Sequence, residues 1–401
     1  MKKLLSIFLA VLMCVSIVCF TGATAGAADV AEKTLKFKGD GEFKIIQIAD
    51  LQDSAFATPA TYEYLRVIIE EEDPDLIVLT GDNIGGGTGD ALFEFIARWQ
   101  VQKAIDNTMS FFEELNIPVA VTFGNHDGES LISKYEQMTM YEKYTCCIAY
   151  DEGENLSGCG TYNLPIYSSD GEKIVYNLWM FDSNMYDEEN GGYDQVHEDQ
   201  IEWYVNTSNA LKAQNGGNPV PSMAFQHIIV NEIFDALVEV EAGSANSIQY
   251  GNKWLGLPED AKGALNETPC PGTIDSLQFE KMVEQGDVKA MFFGHDHKNT
   301  FEVNYQGIDI INSPTSGFGS YGDDNRGVRV ITINENDPSK YETKVISYRE
   351  KFATDELSEV RFLMNDGNDA QVLNAIRYLF MSVMEGNSFF NAFYEILCLI
   401  F

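Results

Sequence analysis

The sequence predicts an α/β protein of two mixed sheets packed together and flanked by helices. Short apolar runs of strand length alternate with segments of helical periodicity through the first two thirds of the chain. Strand-like segments then dominate between residues 288 and 348, the order expected when a second sheet is completed late in the chain. A chain of 401 residues, 45% of them hydrophobic and 12% aromatic, also carries enough apolar material for so large a core.

In order along the chain, Lys2 and Lys3 precede an apolar run from Leu4 to Phe20, and small residues fill 23–28. This is the pattern of a secretory signal peptide cleaved near Ala27 or Ala28. Neither Cys14 nor Cys19 follows the small residue that lipid attachment needs, so the expectation is a freely released protein, secreted or extracytoplasmic. Residues 43–48, 76–80 and 119–123 read as strands, separated by helices at 61–72, which stops before Pro74, and at 91–115. A helical pattern returns at 130–143. Residues 160–166 and 175–181 read as antiparallel strands around the turn Ser169-Asp170-Gly171. A helix at 198–213 leads to a strand at 222–225. Residues 236–273, rich in Gly, Asn and Pro, read as an irregular surface insertion. A helix at 275–285 and a strand at 288–293 follow, then strand-like segments at 300–305, 308–311, 328–333 and 341–348. The main domain therefore spans 29–350, with a helical C-terminal tail at 351–401 (helices at 369–384 and 387–401). The last helix is apolar but short and interrupted by Asn391 and Glu395, so it is not expected to span a bilayer. Docking on the domain, or contact with a membrane surface or a partner, are its open roles.

A formal net charge of −36 repels phosphate backbones, which argues against nucleic acid as a main partner. An anionic substrate would need local positive charge, and with few Lys and Arg a metal centre is its natural source. The five cysteines beyond the leader (Cys146, Cys147, Cys159, Cys270 and Cys398) cannot all pair within one chain. A bridge from Cys159 to one of the vicinal pair is one arrangement that the sequence leaves open. None has the spacing of a cysteine zinc site.

The histidines carry the functional signal. Four of the five fall in Gly124-Asn125-His126-Asp127, at His227, and in Gly294-His295-Asp296-His297, each after an apolar strand. Three earlier strands end in Asp50-Leu51-Gln52, Gly81-Asp82-Asn83 and the Asn125-His126 block. Ligands of α/β sheets bind beyond the carboxyl ends of strands, and imidazole, carboxylate and amide oxygen are the ligands of divalent metals. His197 lies outside these blocks and reads as a surface residue near a helix start.

This set, in this order, resembles the calcineurin-like metallophosphoesterases, the superfamily that includes the purple acid phosphatases. Its blocks, Asp-x-His, Gly-Asp, Gly-Asn-His-Asp/Glu, a lone His and Gly-His-x-His, map here from Asp50 to His297. The resemblance implies a four-layer α/β/β/α sandwich and a secreted, purple-acid-phosphatase-like hydrolase acting on phosphomonoesters or phosphodiesters through a hydroxide shared by two divalent ions (Mn, Zn, Fe or Mg). Asp82 would bridge the ions. Asp50, His297 and position 52 would hold one, and Asn125, His227 and His295 the other. His126 would contact the phosphoryl oxygen or protonate the leaving group, with Asp127 orienting its imidazole. Asp296 reads as a turn carboxylate or as one that steers a ligand histidine, and residues 313–317 as a plain turn or, by the resemblance, a loop near the site. Gln52 departs from the family, which has His there; an amide oxygen is a weaker and harder ligand. That departure motivates an alternative, a catalytically weakened protein that binds metal or phosphate on the same fold.

Overall fold

The apolar runs form strands that assemble into two mixed sheets. A computed structural model describes residues 34–153 and 155–352. The leader at 1–28 and the tail helices at 369–384 and 387–401 lie outside the described residues. The strands are β1 (Leu35–Lys36), β2 (Glu42–Ile48), β3 (Leu76–Thr80), β4 (Val119–Thr122), β5 (Tyr162–Tyr167), β6 (Ile174–Met180), β7 (Ser222–Phe225), β8 (Val238–Glu239), β9 (Ser247–Tyr250), β10 (Lys253–Gly256), β11 (Val288–Phe293), β12 (Glu302–Tyr305), β13 (Ile308–Asn312), β14 (Gly327–Asn334) and β15 (Tyr341–Ser347). One sheet runs β15-β14-β2-β3-β4, with β2, β3 and β4 parallel and β14 and β15 antiparallel. The other runs β1-β5-β6-β7-β11-β13-β12 around a parallel centre of β6, β7, β11 and β13.

Side-chain alternation builds the layers. Leu178, Met180, Met223, Phe225 and Phe292 join the apolar cluster of β2–β4 and of the helices Pro59–Glu72 and Glu94–Leu115. Their neighbours Trp179, Phe181, Ala224, Met291 and Phe293 face a second cluster with the helices Glu198–Gln214 and Gln278–Gln285. A strand whose odd and even residues are both apolar is one buried on both faces. The layer order is therefore helix, sheet, sheet, helix, as expected.

Polar contacts lock the two sheets together. Thr122 Oγ1 donates to the Phe181 carbonyl at 2.6 Å, and Tyr162 OH donates to the Val121 carbonyl at 2.9 Å. Arg329 of β14 is fully buried; it pairs with Glu302 of β12 at 2.8 Å and donates to the carbonyls of Thr300 and Asn312 at 2.9 and 3.0 Å.

Local chemistry explains where boundaries differ from expectation. The first long helix begins at Pro59, whose missing N–H costs nothing in a first turn, and ends at Asp73 in the left-handed region before Pro74. The helical signal at 130–143 narrows to a helix, Lys134–Tyr141, started by a Ser133/Glu136 capping box, and a 3₁₀ turn, His126–Glu129, precedes it. The insertion at 236–273 is not wholly irregular: it holds a small sheet, β8-β10-β9, whose hairpin turns on Gly251-Asn252. Among the described residues no disulfide forms, so the Cys159 bridge is not made. No described helix is long and apolar enough to cross a membrane.

Candidate metal centre

Five parallel strands meet at one rim: β2, β3 and β4 from one sheet, β7 and β11 from the other. Asp50, Asp82, His227 and His295 each lie two residues beyond a strand end, and Asn125 three beyond. The backbone there is strained in a consistent way. Asp50, Gln52, Asp82 and His295 all have positive φ, at 51°, 43°, 48° and 68°. Such left-handed residues cost of order 1 kcal/mol each and cluster where function over-determines them. The neighbouring glycines allow close approach. A Cβ on Gly124 would lie 2.2 Å from Asp82 Oδ1, and one on Gly294 would lie 2.6 Å from Asp50 Oδ2.

Backbone amides fix one oxygen of each aspartate. The His126 N–H donates to Asp82 Oδ1 at 2.8 Å, and the His295 N–H to Asp50 Oδ2 at 2.9 Å. The other two oxygens face imidazole nitrogens. His227 Nε2 is 3.3 Å from Asp82 Oδ2 and 3.9 Å from Asp50 Oδ1, and His297 Nε2 is 3.2 Å from Asp50 Oδ1. Carbonyl oxygens sit at the opposite ring nitrogens: Thr80 O is 3.0 Å from His227 Nδ1, and Tyr321 O is 2.9 Å from His297 Nδ1. Those carbonyls can only accept, so each Nδ1 donates to one and each Nε2 is turned toward a carboxylate, placed to offer its lone pair to a cation between them. Asp50 Oδ1 and Asn125 Oδ1 are buried without a hydrogen-bond partner. Converging lone pairs with orphaned oxygens are what a cation satisfies, and the carboxylate, imidazole and amide set fits divalent metals. His295 Nδ1 lies 3.3 Å from His227 Nε2. Gln52 Nε2 lies 3.3 Å from His297 Nε2 and 3.4 Å from Asp82 Oδ2, and turning its amide over presents the carbonyl oxygen there instead.

The protein's own charges show the imbalance. Burial works to raise the Asp82 carboxyl, but His227 and then His126 hold it below the usual carboxylate range. Burial works to lower His227, yet Asp82 and Asp50 push it up to about 9. Burial, then the charge of His227, pulls His295 down to about 3. Two buried carboxylates thus require positive charge from some source.

One expected role is corrected. Asp127 does not touch the His126 ring. Its carboxylate accepts the N–H groups of Asn83 and Ile84 at 3.0 Å and of Gly124 at 2.8 Å, tying the turns after β3 and β4 together. The carboxylate on the imidazole belongs to Glu129, whose Oε2 is 2.8 Å from His126 Nδ1. In a 3₁₀ turn residues i and i+3 eclipse, so His126 and Glu129 stack while Asp127 faces away. Of the two readings open for Asp296, the structural one is observed: its carboxylate accepts the Cys270 N–H at 3.1 Å. The 313–317 loop does lie at the site: Thr315 Oγ1 donates to the Asp50 carbonyl at 2.8 Å, and its N–H to the His297 carbonyl at 3.0 Å.

The cluster opens into a cleft of about 340 Å³ lined in part by Gln52, His126, Tyr193, His295, His297 and Tyr321. Tyr193 meets the His295 ring edge-on at 4.2 Å, and Tyr321 stacks on His297 at 4.1 Å between ring centres. Sequence reading missed Glu129 and both tyrosines. The His-x-x-Glu spacing was a signal for Glu129, but nothing local marks the tyrosines. His197 lies apart, with Nε2 2.9 Å from Asp194 Oδ1.

A family profile described as calcineurin-like phosphoesterase matches residues 43–299. The chain is 28% identical over 343 residues to "Probable inactive purple acid phosphatase 14" of Arabidopsis thaliana, covering 78% of this chain and 80% of that protein. It is 26% identical over 300 residues to "Phosphatase DCR2" of Saccharomyces cerevisiae, covering 68% of this chain and 47% of that protein. Among solved structures, a dimetal phosphatase from Danio rerio aligns over 76% of this chain and 99% of its own, with 13% identity and a TM-score of 0.44.

Proposed function

The chain belongs to the calcineurin-like phosphoesterase family, and from that premise we propose that it is a secreted, metal-dependent phosphohydrolase of phosphomonoesters or phosphodiesters. The observation that carries this reading is the pair of imidazoles, His227 and His297, whose Nε2 atoms converge on the buried oxygens of Asp82 and Asp50. Asp50, Gln52 and His297 would hold one ion and Asn125, His227 and His295 the other, with Asp82 between them. When bound, such a pair supplies an activated water and neutralises charge on the phosphoryl oxygens.

The chain's own groups do the rest. His126 lines the cleft with Nε2 3.8 Å from Asp82 Oδ2, so it can donate a proton to a leaving-group oxygen. Glu129 holds the opposite ring nitrogen and stabilises the protonated ring. Tyr193 and Tyr321 wall the cleft and limit water. Local cations also reconcile phosphoester binding with a net charge of −36.

The test is hydrolysis of a chromogenic phosphoester by purified protein with added Mn or Zn. Loss of turnover in Asp82→Ala and His126→Ala supports the proposal. Gln52 favours a second reading, a metal- or phosphate-binding protein of weakened activity; tight metal uptake without turnover would select it.

A further inference from the structure

A second cluster of oxygens lies outside the strand-end site and is not used by the proposed chemistry. Glu232 sits at the start of the short helix Ile233–Ala236, on the segment leaving β7. Asp275 precedes the helix Gln278–Gln285, and Glu280 lies in its first turn. One oxygen from each of the three carboxylates falls within 4.8 Å of the others. Glu232 is only 6% exposed, and its Oε1 has no hydrogen-bond partner. Glu280 Oε2 and Gln195 Oε1 are buried oxygens in the same condition. A void of about 10 Å³ beside the cluster is lined by Gln195, Glu232 and Asp275 among others, roughly the volume one water-sized sphere needs.

Donors are few here: the Leu277 N–H reaches Asp275 Oδ1 at 3.0 Å. Among the described residues, no Lys, Arg or His forms an ion pair with Glu232, Asp275 or Glu280. Gln278 is committed to Gln226 at 2.7 Å, and Gln226 to the Ile228 carbonyl at 2.9 Å. Burial, with the charges of Asp275 and Glu280 added, pushes the Glu232 carboxyl up. A proton held between Glu232 and Glu280 relieves part of the cost of these facing acceptors, and a cation in its place would relieve it for all three carboxylates.

We propose that Glu232, Asp275, Glu280 and the Gln195 carbonyl oxygen form a non-catalytic site for a hard divalent cation of the calcium class. The ligand set is all oxygen, unlike the histidine-rich centre, which selects against metals that prefer imidazole or thiolate. Calcium binds oxygens at about 2.3–2.6 Å, so opposite ligands stand about 5 Å apart, matching the observed spread. Asp275 is exposed and Glu280 half-buried, which leaves room for water to complete an irregular shell. The ion would join three segments: 226–232, which carries His227; 275–280; and the 184–196 loop, which carries Tyr193. Its role is to brace them.

The test is calcium titration of the full natively purified protein by calorimetry, repeated by terbium luminescence, in wild type, Glu232→Gln, Glu280→Gln and Asp82→Asn. We expect one calcium per chain at roughly 10⁻⁴–10⁻³ M, the range of extracellular sites. Binding should weaken at least about tenfold in both Gln variants, each of which removes a ligand charge, and persist in Asp82→Asn. Absence of uptake by folded wild type, or uptake lost in Asp82→Asn but kept in the Gln variants, overturns the proposal. Circular dichroism controls for folding; if Glu232→Gln does not fold, the less buried Glu280→Gln decides.

Discussion

Replacing Glu129 with Gln should impair proton delivery and leave substrate binding intact. Glu129 Oε2 lies 2.8 Å from His126 Nδ1, and Tyr186 OH donates to Glu129 Oε1 at 2.6 Å, so the carboxylate is held from both sides. Gly86 makes room for the pair: a Cβ there would meet His126 Nδ1 at 2.9 Å and Glu129 Oε2 at 3.2 Å. A hydrogen bond to a charged group contributes about 1.5–3 kcal/mol. Both side chains are about a third exposed (32% and 31%), which discounts the figure to about 1 kcal/mol. At 1.36 kcal/mol per tenfold, that is roughly a fivefold loss in rate. The assay compares kcat and KM for a nitrophenyl phosphoester, whose leaving group needs little protonation, with an alkyl phosphoester, whose leaving group does. Glu129→Gln should lower kcat roughly fivefold for the alkyl ester, much less for the nitrophenyl ester, with KM steady. Equal losses for the two esters, or none, would refute the role given to Glu129.

Other outcomes follow from the same geometry. Gln52→His should slow metal loss to a chelator, because imidazole is the stronger ligand at that position; unchanged retention would mean position 52 is not a ligand. Arg329→Leu should cost about 3 kcal/mol in denaturant unfolding by stranding Glu302 and two buried carbonyls, and a cost below about 1 kcal/mol would contradict its part in joining the sheets. Hydrogen bonding to Asp194, against partial burial, raises the His197 pKa above its usual 6.5. Its stabilisation is therefore fully present below about pH 6.5 and fades as pH rises through the folded value. Asp194→Asn should lower Tm most at acidic pH and least at alkaline pH; a deficit that grows with pH would reverse that sign.

What the sequence discloses, and what it hides, follows from the range of each interaction. Strands such as Leu76–Thr80 announce themselves because a core strand buried on both faces must be continuously apolar. The site blocks were legible because strand ends are where these folds place ligands. Two-residue strands such as Leu35–Lys36 carry no periodic signal at all. The β9–β10 hairpin was obscured by four-residue strands and the surrounding Gly and Asn, although its Gly251-Asn252 turn was a usable cue. The resemblance offered Asp127 as the partner of His126, but the i, i+3 spacing of a single 3₁₀ turn decides which carboxylate reaches the ring. Tyr193 and Tyr321 reach the cleft through tertiary folding that no local pattern encodes. The helix signals at 369–384 and 387–401 remain sequence expectations.

The most direct test of the whole account is the transition-metal content of protein purified without chelators, measured by mass spectrometry beside Asp82→Asn. The account predicts about two ions per wild-type chain, one for each half of the ligand set, and a marked fall when the shared carboxylate is lost. A folded wild-type protein carrying no such metal, or one whose content is indifferent to Asp82, would contradict it.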